Sequence, residues 1–317
     1  MQLLVHLVLK ESFLLLTLLP KPLSVNSTIG LVCLAGGFDD YKTINQVIKY
    51  LSRLGYKVKL GKSIVPSEGF YKYLSGPDSK RINDLISFWC DKNVDAIFCL
   101  RGGYGTLRLL QDIDFNLIKK YKKIIIGFSD ITVLLLSIFT KTSLITFHGP
   151  MLGIKQEQNS IKKMLSLLHN PKFHFSYQNK SNGITIHKGK AYGKLIGGNL
   201  SNICSMLESG YLPNVKDAIL FLEDCNEEPY KIDRLLTQLE NAKIFKQVSG
   251  LIFSSFYKCK FKNEKEIITL IKNKTSNLKI PIIYNFPIGH GKNNFAVPIG
   301  MKVMLDADNK TLKSTIQ

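Results

Sequence analysis

The sequence predicts an α/β protein in two parts: an N-terminal domain on a parallel sheet, and a C-terminal domain that mixes a small sheet or barrel with helices. Three observations predict this. Short apolar runs alternate with amphipathic stretches over residues 28–155, a pattern that folds as a parallel sheet with helices on both faces. A polar segment, 156–189, then breaks the pattern and reads as a linker holding one short amphipathic helix, SIKKMLSLLHN. A second alternating series fills 190–317. With 317 residues, 45% of them hydrophobic, the chain can bury a sizeable core and divide into two domains.

The elements follow in order. TIGLVCLAGGF is an apolar strand ending in a glycine turn, and YKTINQVIKYLSRLG is a helix stopped by Gly55. The strand YKVKLG, the helix SKRINDLISFWCDKN and the strand VDAIFCLRGGYG come next. A helix over TLRLLQDID and a strand over KKIIIGF complete the first series, and a long apolar helix follows Ser129. In the second series AILFLED and VSGLIFSSF are strands, while PYKIDRLLTQLE and EKEIITLIKNKT are helices. The closing PIGMKVMLDADNKTLKS reads as a hairpin around an Asp/Asn turn.

Residues 1–27 stand apart. MQLLVHLVLKESFLLLTLLPKP is apolar but broken by Lys10 and Glu11, and its clean run is seven residues, Phe13 to Leu19. A membrane span needs about 20. An export signal needs a basic start and an A-x-A-like cleavage site, and both are missing here. The extension is expected to lie outside the fold, and the protein to be cytoplasmic, with no membrane partner. The six cysteines are scattered without a C-x-x-C pair, which suits reduced thiols better than disulfides or zinc.

A net charge of +19 raises the question of nucleic acid. The basic residues are nearly all lysine, spread along the chain, with five arginines: Arg53, Arg81, Arg101, Arg108 and Arg234. Nucleic-acid surfaces favour clustered arginine with aromatics. The charge therefore reads as a solvated face, and no nucleic-acid partner is expected.

Two glycine-bearing motifs fall at strand carboxyl ends, where ligands bind in such sheets. In KKIIIGFSDITVLLL, Ser129 sits at the tip of a strand-to-helix turn. Hydrolases use such a turn to expose a nucleophile, with the pattern G-x-S-x-G; here Ile131 takes the place of the second glycine. A helix-capping serine would look the same from this stretch alone. LRGGYGTLRLL fails as a phosphate loop, because Thr106 and Leu107 follow Gly105 where G-K-[ST] is required. It also fails as a dinucleotide fingerprint, which wants glycine where Arg108 stands. Its backbone N–H groups nonetheless suit an oxyanion.

A serine nucleophile needs a base, and the base needs an orienting carboxylate. His6 lies in the extension, and His169, His174 and His187 lie in or beside the polar linker. His148, in ITFHGPM, ends a strand of the first part, and His290, in NFPIGHGKNN, sits between glycines in the second. Glu223 ends the apolar strand AILFLED, where a buried charge requires a partner. Asp224, Glu227 and Glu228 are equally close in sequence, and spacing does not choose among them.

Taken in order, RGGYGTLRLL, IIGFSDITVL, FHGPM, LFLEDCNEEPYKIDRLLTQL and FPIGHG resemble the LD-carboxypeptidases, serine peptidases that trim muropeptides and are related to the microcin C immunity peptidases. The resemblance runs from about Ile29 to about Leu305. It implies Ser129 as nucleophile, Glu223 as the carboxylate and His290 as the base, with the backbone N–H groups of Asp130 and Gly103 as oxyanion donors. It also implies an active site between the two domains, usually in a homodimer, with no metal or cofactor. Departures are few: Cys33 stands where relatives often carry small polar residues, and the run Ser254 to Phe256 replaces a more usual glycine-containing turn.

The chemistry implied is hydrolysis of the L-D peptide bond that holds a terminal D-alanine on a murein tetrapeptide during cell-wall recycling. An alternative keeps the chemistry on a peptidyl-nucleotide, as in the immunity branch. A basic nucleic-acid-binding protein is the alternative of another class.

Overall fold

The computed structural model describes residues 17–39, 41–64 and 73–315. From the N-terminus, β1 (Thr28–Val32), α1 (Lys42–Arg53), β2 (Lys57–Leu60), α2 (Asp78–Cys90) and β3 (Ala96–Cys99) alternate as expected. A 3-10 helix at Leu107–Asp112, α3 (Phe115–Lys120) and β4 (Ile124–Gly127) follow. A 3-10 turn at Ser129–Ile131 then leads into α4 (Thr132–Thr142) and β5 (Thr146–His148). The middle of the chain forms α5 (Gln158–His169), β6 (Ser176–Gln178) and β7 (Ile184–His187). The rest comprises β8 (Lys190–Asn199), α6 (Leu200–Ser205), β9 (Ile219–Cys225), α7 (Pro229–Asn241), β10 (Gly250–Tyr257), α8 (Glu264–Thr275), β11 (Ile282–Tyr284), β12 (Val297–Ile299), β13 (Lys302–Asp306) and β14 (Thr311–Ser314).

Two sheets carry the fold, so the α/β class read from the sequence holds. The first has the order β12-β5-β4-β3-β1-β2 and is parallel except at β12. Its strand β4 is buried along its whole length, as the run of isoleucines requires. The chain runs outward from β1 to β2 and returns to β3 on the other side. That reversal opens a crevice beyond the carboxyl ends of β1 and β3, the position where such sheets bind ligands. The second sheet has the order β6-β14-β13-β8-β9-β10-β11-β7, with β8 to β11 parallel and the flanking strands antiparallel.

Helix α4 joins the two. Nearly all its residues are buried, because it packs on β4 and β5 from one side and on β8 from the other. The close approach of β8 is visible at Gly198, where an added Cβ would stand 2.4 Å from the Thr132 methyl carbon.

Four sequence expectations need correction. The segment 156–189, read as a linker, supplies α5 and two strands of the second sheet, β6 and β7. Their polar composition reflects edge positions with little burial. That sheet therefore has eight strands and is not small. The expected helix over 106–114 is a short 3-10 helix at Leu107–Asp112, and the sequence reading lacks α3, capped by Asp114 accepting from the N–H groups of Asn116 and Leu117. Strand β12 returns to the first sheet, antiparallel to β5, so 190–317 does not stay within the second.

Within the described residues the extension is not outside the fold. Leu18 bridges Leu144, and its N–H donates to the Ser143 carbonyl at 2.8 Å. Leu23 is buried in the core, and its N–H donates to the Leu168 carbonyl at 2.8 Å. Leu23→Ala is therefore expected to lower stability by about 3 kcal/mol, the usual loss for a buried leucine. Chemical denaturation measures it; a loss near zero would return this segment to the solvent.

Candidate active site

Strand β4 ends at Gly127, and the backbone passes through an extended Phe128 (φ −154°, ψ −170°) into Ser129 at φ +61°. That left-handed conformation costs a non-glycine residue about 1–3 kcal/mol and persists only where neighbours enforce it. The hydroxyl does not cap the long helix: the N-cap of α4 is Ile131, with no side-chain cap. The capping reading of Ser129 thus loses its structural basis.

Three contacts hold the turn. Gly102, from the loop after β3, lies against it, so that a Cβ there would stand 2.8 Å from Ser129 Cβ and 2.9 Å from Oγ. Asn202 Nδ2, on α6, donates to the Ser129 carbonyl at 3.2 Å. Asp130 turns inward and ties the two motifs together. Its Oδ2 accepts from the Thr106 N–H and hydroxyl, both at 2.9 Å, and its carbonyl accepts the same hydroxyl at 2.6 Å. Burial pushes the Asp130 carboxyl up, against the Thr106 bonds. Buried Arg81 braces the far side of the loop by donating to the Gly105 carbonyl at 3.0 Å and to that of Leu34. Gly103, within this loop, has φ +119°.

The second sheet brings the other two candidates together. Glu223 is fully buried near the end of β9. Its Oε2 lies 2.6 Å from His290 Nδ1 and accepts the His290 backbone N–H at 3.0 Å. Gly289 makes this possible: at φ +90°, any Cβ would stand within 2.5 Å of the Glu223 carboxyl. The Phe128 ring meets the His290 ring edge-on with centroids 4.8 Å apart, so the residue before Ser129 touches the imidazole.

The acidic neighbours are occupied elsewhere. Asp224 accepts from Asn199 Nδ2 (2.9 Å) and from the Ser201 N–H (3.0 Å) and hydroxyl (2.6 Å). Glu227 pairs with Lys231 and Glu228 with Lys260. Of the other histidines, His169 meets the Tyr56 hydroxyl at 2.5 Å, and His148 is fully buried with Nε2 4.0 Å from Glu223 Oε1. His174 and His187 lie outside this cluster, and His6 lies outside the described residues. The contributions of Phe128, Asn202 and the Asp130 side chain had no sequence signal, since each depends on a partner far along the chain.

Burial disfavours a charged imidazole, but the Glu223 carboxylate outweighs it and a hydrogen bond with Cys225 adds, so His290 is held above its ordinary 6.5. Burial likewise works against the Glu223 charge, yet His290 wins and keeps that carboxyl below its ordinary range. The arrangement suits a base whose charged form is stabilised after it takes a proton.

Two cavities meet at His290, Gly291 and Lys292. One, of about 360 Å³, is walled by Phe128, Lys155 and Tyr257. The other, of about 200 Å³, is lined by amide side chains including Asn179 and Asn285. Among the described residues, no group of three or more His, Cys, Asp or Glu is placed to hold a metal ion, and no helix is long and apolar enough to cross a membrane.

Comparison with known proteins adds an independent finding. Residues 29–149 match the description of the LD-carboxypeptidase N-terminal domain, and residues 192–305 that of the LD-carboxypeptidase C-terminal domain. A probable murein peptide carboxypeptidase of Bacillus subtilis is 36% identical over 299 residues, 92% of each chain. The murein tetrapeptide carboxypeptidase of Pseudomonas aeruginosa is 29% identical, covering 84% of this chain and 89% of its own. Among solved structures, MccF in complex with glutamyl sulfamoyl guanosine superposes with a TM-score of 0.87 at 25% identity, over 95% of this chain and 99% of that one.

The raised His290 sets a pH dependence. If His290 serves as the base for Ser129, only its neutral imidazole can take the proton, and that form is lost as pH falls through the folded value. The rate at which a fluorophosphonate labels Ser129 should therefore rise with pH, with its midpoint above 6.5. Glu223→Gln removes the charge that raises His290, so the midpoint should move to lower pH as the rate falls. A midpoint that stays put would remove Glu223 from control of the base.

Proposed function

The chain belongs to the LD-carboxypeptidase family, and we propose that it releases the terminal D-alanine from murein tetrapeptides by acyl transfer through Ser129, His290 and Glu223. The observation that carries this reading is the buried Glu223–His290 contact at 2.6 Å, with the strained Ser129 turn adjoining it through Phe128.

His290 Nε2 takes the proton of Ser129 as Oγ attacks the carbonyl joining the L-centre to D-alanine. Glu223, bonded to Nδ1, fixes the tautomer and stabilises the imidazolium. The N–H groups of Asp130 and Gly103 receive the oxyanion; losing one such donor typically costs about 3 kcal/mol. His290 then passes its proton to the D-alanine amine, which leaves. A water molecule, deprotonated by the same imidazole, hydrolyses the acyl-enzyme and restores Ser129.

Lys155 and Lys292, at the walls of the larger cavity, offer cationic partners for the carboxylates of such a peptide. The six cysteines are free, which fits action on recycled fragments in a reducing cytosol. A homodimer is the assembly we propose, by likeness to the family.

The likeness to MccF favours a second reading, hydrolysis of a peptidyl-nucleotide by the same three residues. The higher identity to the murein peptide relative puts the muropeptide first.

Incubation of the purified protein with a tetrapeptide ending in D-alanine, and in parallel with an acyl sulfamoyl nucleoside, separates the two. The muropeptide reading expects D-alanine release, lost by several powers of ten in Ser129→Ala while the variant melts within a few degrees of wild type. Undiminished release by Ser129→Ala would overturn the serine mechanism. Turnover of the nucleoside alone would transfer the chemistry to the second substrate.

A further inference from the structure

His148 closes β5 and pairs in register with Gly127 of β4, two residues before Ser129. Its side chain is fully buried, and neither ring nitrogen has a hydrogen-bond partner. Glu223 Oε1 is also fully buried and also lacks a partner, while Oε2 serves His290 twice. The two orphans face each other: His148 Nε2 lies 4.0 Å from Glu223 Oε1. The rings of Phe128 and Phe221 flank the imidazole at centroid distances of 6.1 and 5.1 Å and hold it at this depth.

Buried polar atoms are rarely left unmatched, and a missing bond to a carboxylate oxygen is among the more costly omissions. A contraction of about 1 Å would bring this pair to hydrogen-bond length. Burial holds the imidazole neutral, with its pKa down at about 4, the Glu223 charge opposing and His290 adding to the fall. A neutral imidazole carries one N–H, so it can serve Glu223 only as the Nε2–H tautomer.

We propose that His148 is a positioning residue: its Nε2–H donates to Glu223 Oε1 across the junction of the two sheets and turns the carboxylate so that Oε2 meets His290. The proposal rests on the reading of Glu223 and His290 as a working pair. It makes the base depend on the first sheet, since the donor stands on the strand beside the nucleophile's own. Sheet-to-sheet fit is then felt at the carboxylate before it is felt at the substrate.

Side-chain shape supplies the test. Glutamine places its amide N–H near the position of the histidine Nε2, whereas asparagine places one near Nδ1 and phenylalanine keeps the ring without a donor. With each variant confirmed folded by its melting temperature, His148→Gln should keep fluorophosphonate labelling of Ser129 within a few-fold of wild type. His148→Asn and His148→Phe should both fall by ten-fold or more. On the tetrapeptide, the same losses should appear in kcat with KM little changed. Equal rates in the glutamine and phenylalanine variants would overturn the proposal. Nitrogen-15 histidine spectra of the intact protein provide a readout that needs no substrate. They should show His148 as the neutral Nε2–H tautomer, with a shift on Glu223→Gln; an Nδ1–H tautomer would overturn the proposal. Failure of wild type to release D-alanine would count against the muropeptide reading alone, because labelling and tautomer are read without that substrate.

Discussion

The contact between the Glu223 carboxylate and the His290 imidazole is the constraint on which the rest of the site depends. A carboxylate fully enclosed at the end of an apolar strand is tolerable only if charge and hydrogen bonds meet it there. His290 supplies both, through ring and backbone at once. That double engagement requires the chain to pass directly over the carboxylate, and so requires glycine at 289. It also requires β9 to be central, between β8 and β10, so that no water reaches the charge from the strand edges.

The Ser129 half of the site answers a different demand. Ser129 holds a conformation that an isolated turn would abandon. Its neighbours over-determine it: Gly102 beneath, Asn202 on the carbonyl and the Thr106–Asp130 bonds alongside. One buried aspartate thereby sets the distance between the glycine loop and the turn, the two places where the oxyanion donors are assigned. Helix α4, buried between the sheets, then relates this assembly to the carboxylate–imidazole pair. The site is consequently sensitive to packing far from its reacting atoms.

The parallel sheet was legible because β1, β3 and β4 are unbroken apolar runs, which only a doubly covered strand explains. The strands β6, β7 and β12 were not, since each is three or four residues long and joins by pairing rather than by pattern. Residues 17–27 were misjudged for a similar reason: the backbones of Leu18 and Leu23 bond to partners more than a hundred residues away. At the site, spacing alone narrowed the carboxylate to four neighbours, and only the family resemblance singled out Glu223. What separates Glu223 from Asp224 is the side of β9 each faces, with one toward His290 and the other toward Asn199 and Ser201. Strand alternation predicts opposite faces for the two, but not which face meets the histidine. The positioning role proposed for His148 was hidden in the same way, because it rests on two unmatched atoms that face each other across the sheets.

The central claim is that Ser129 becomes acylated during turnover. Quenching the tetrapeptide reaction with acid, digesting the protein and weighing its peptides tests this directly. The account expects the tripeptide acyl group on the peptide that holds Ser129 and on no other, and expects it to vanish in Ser129→Ala. D-alanine released at the full rate with the acyl group on another residue would contradict it.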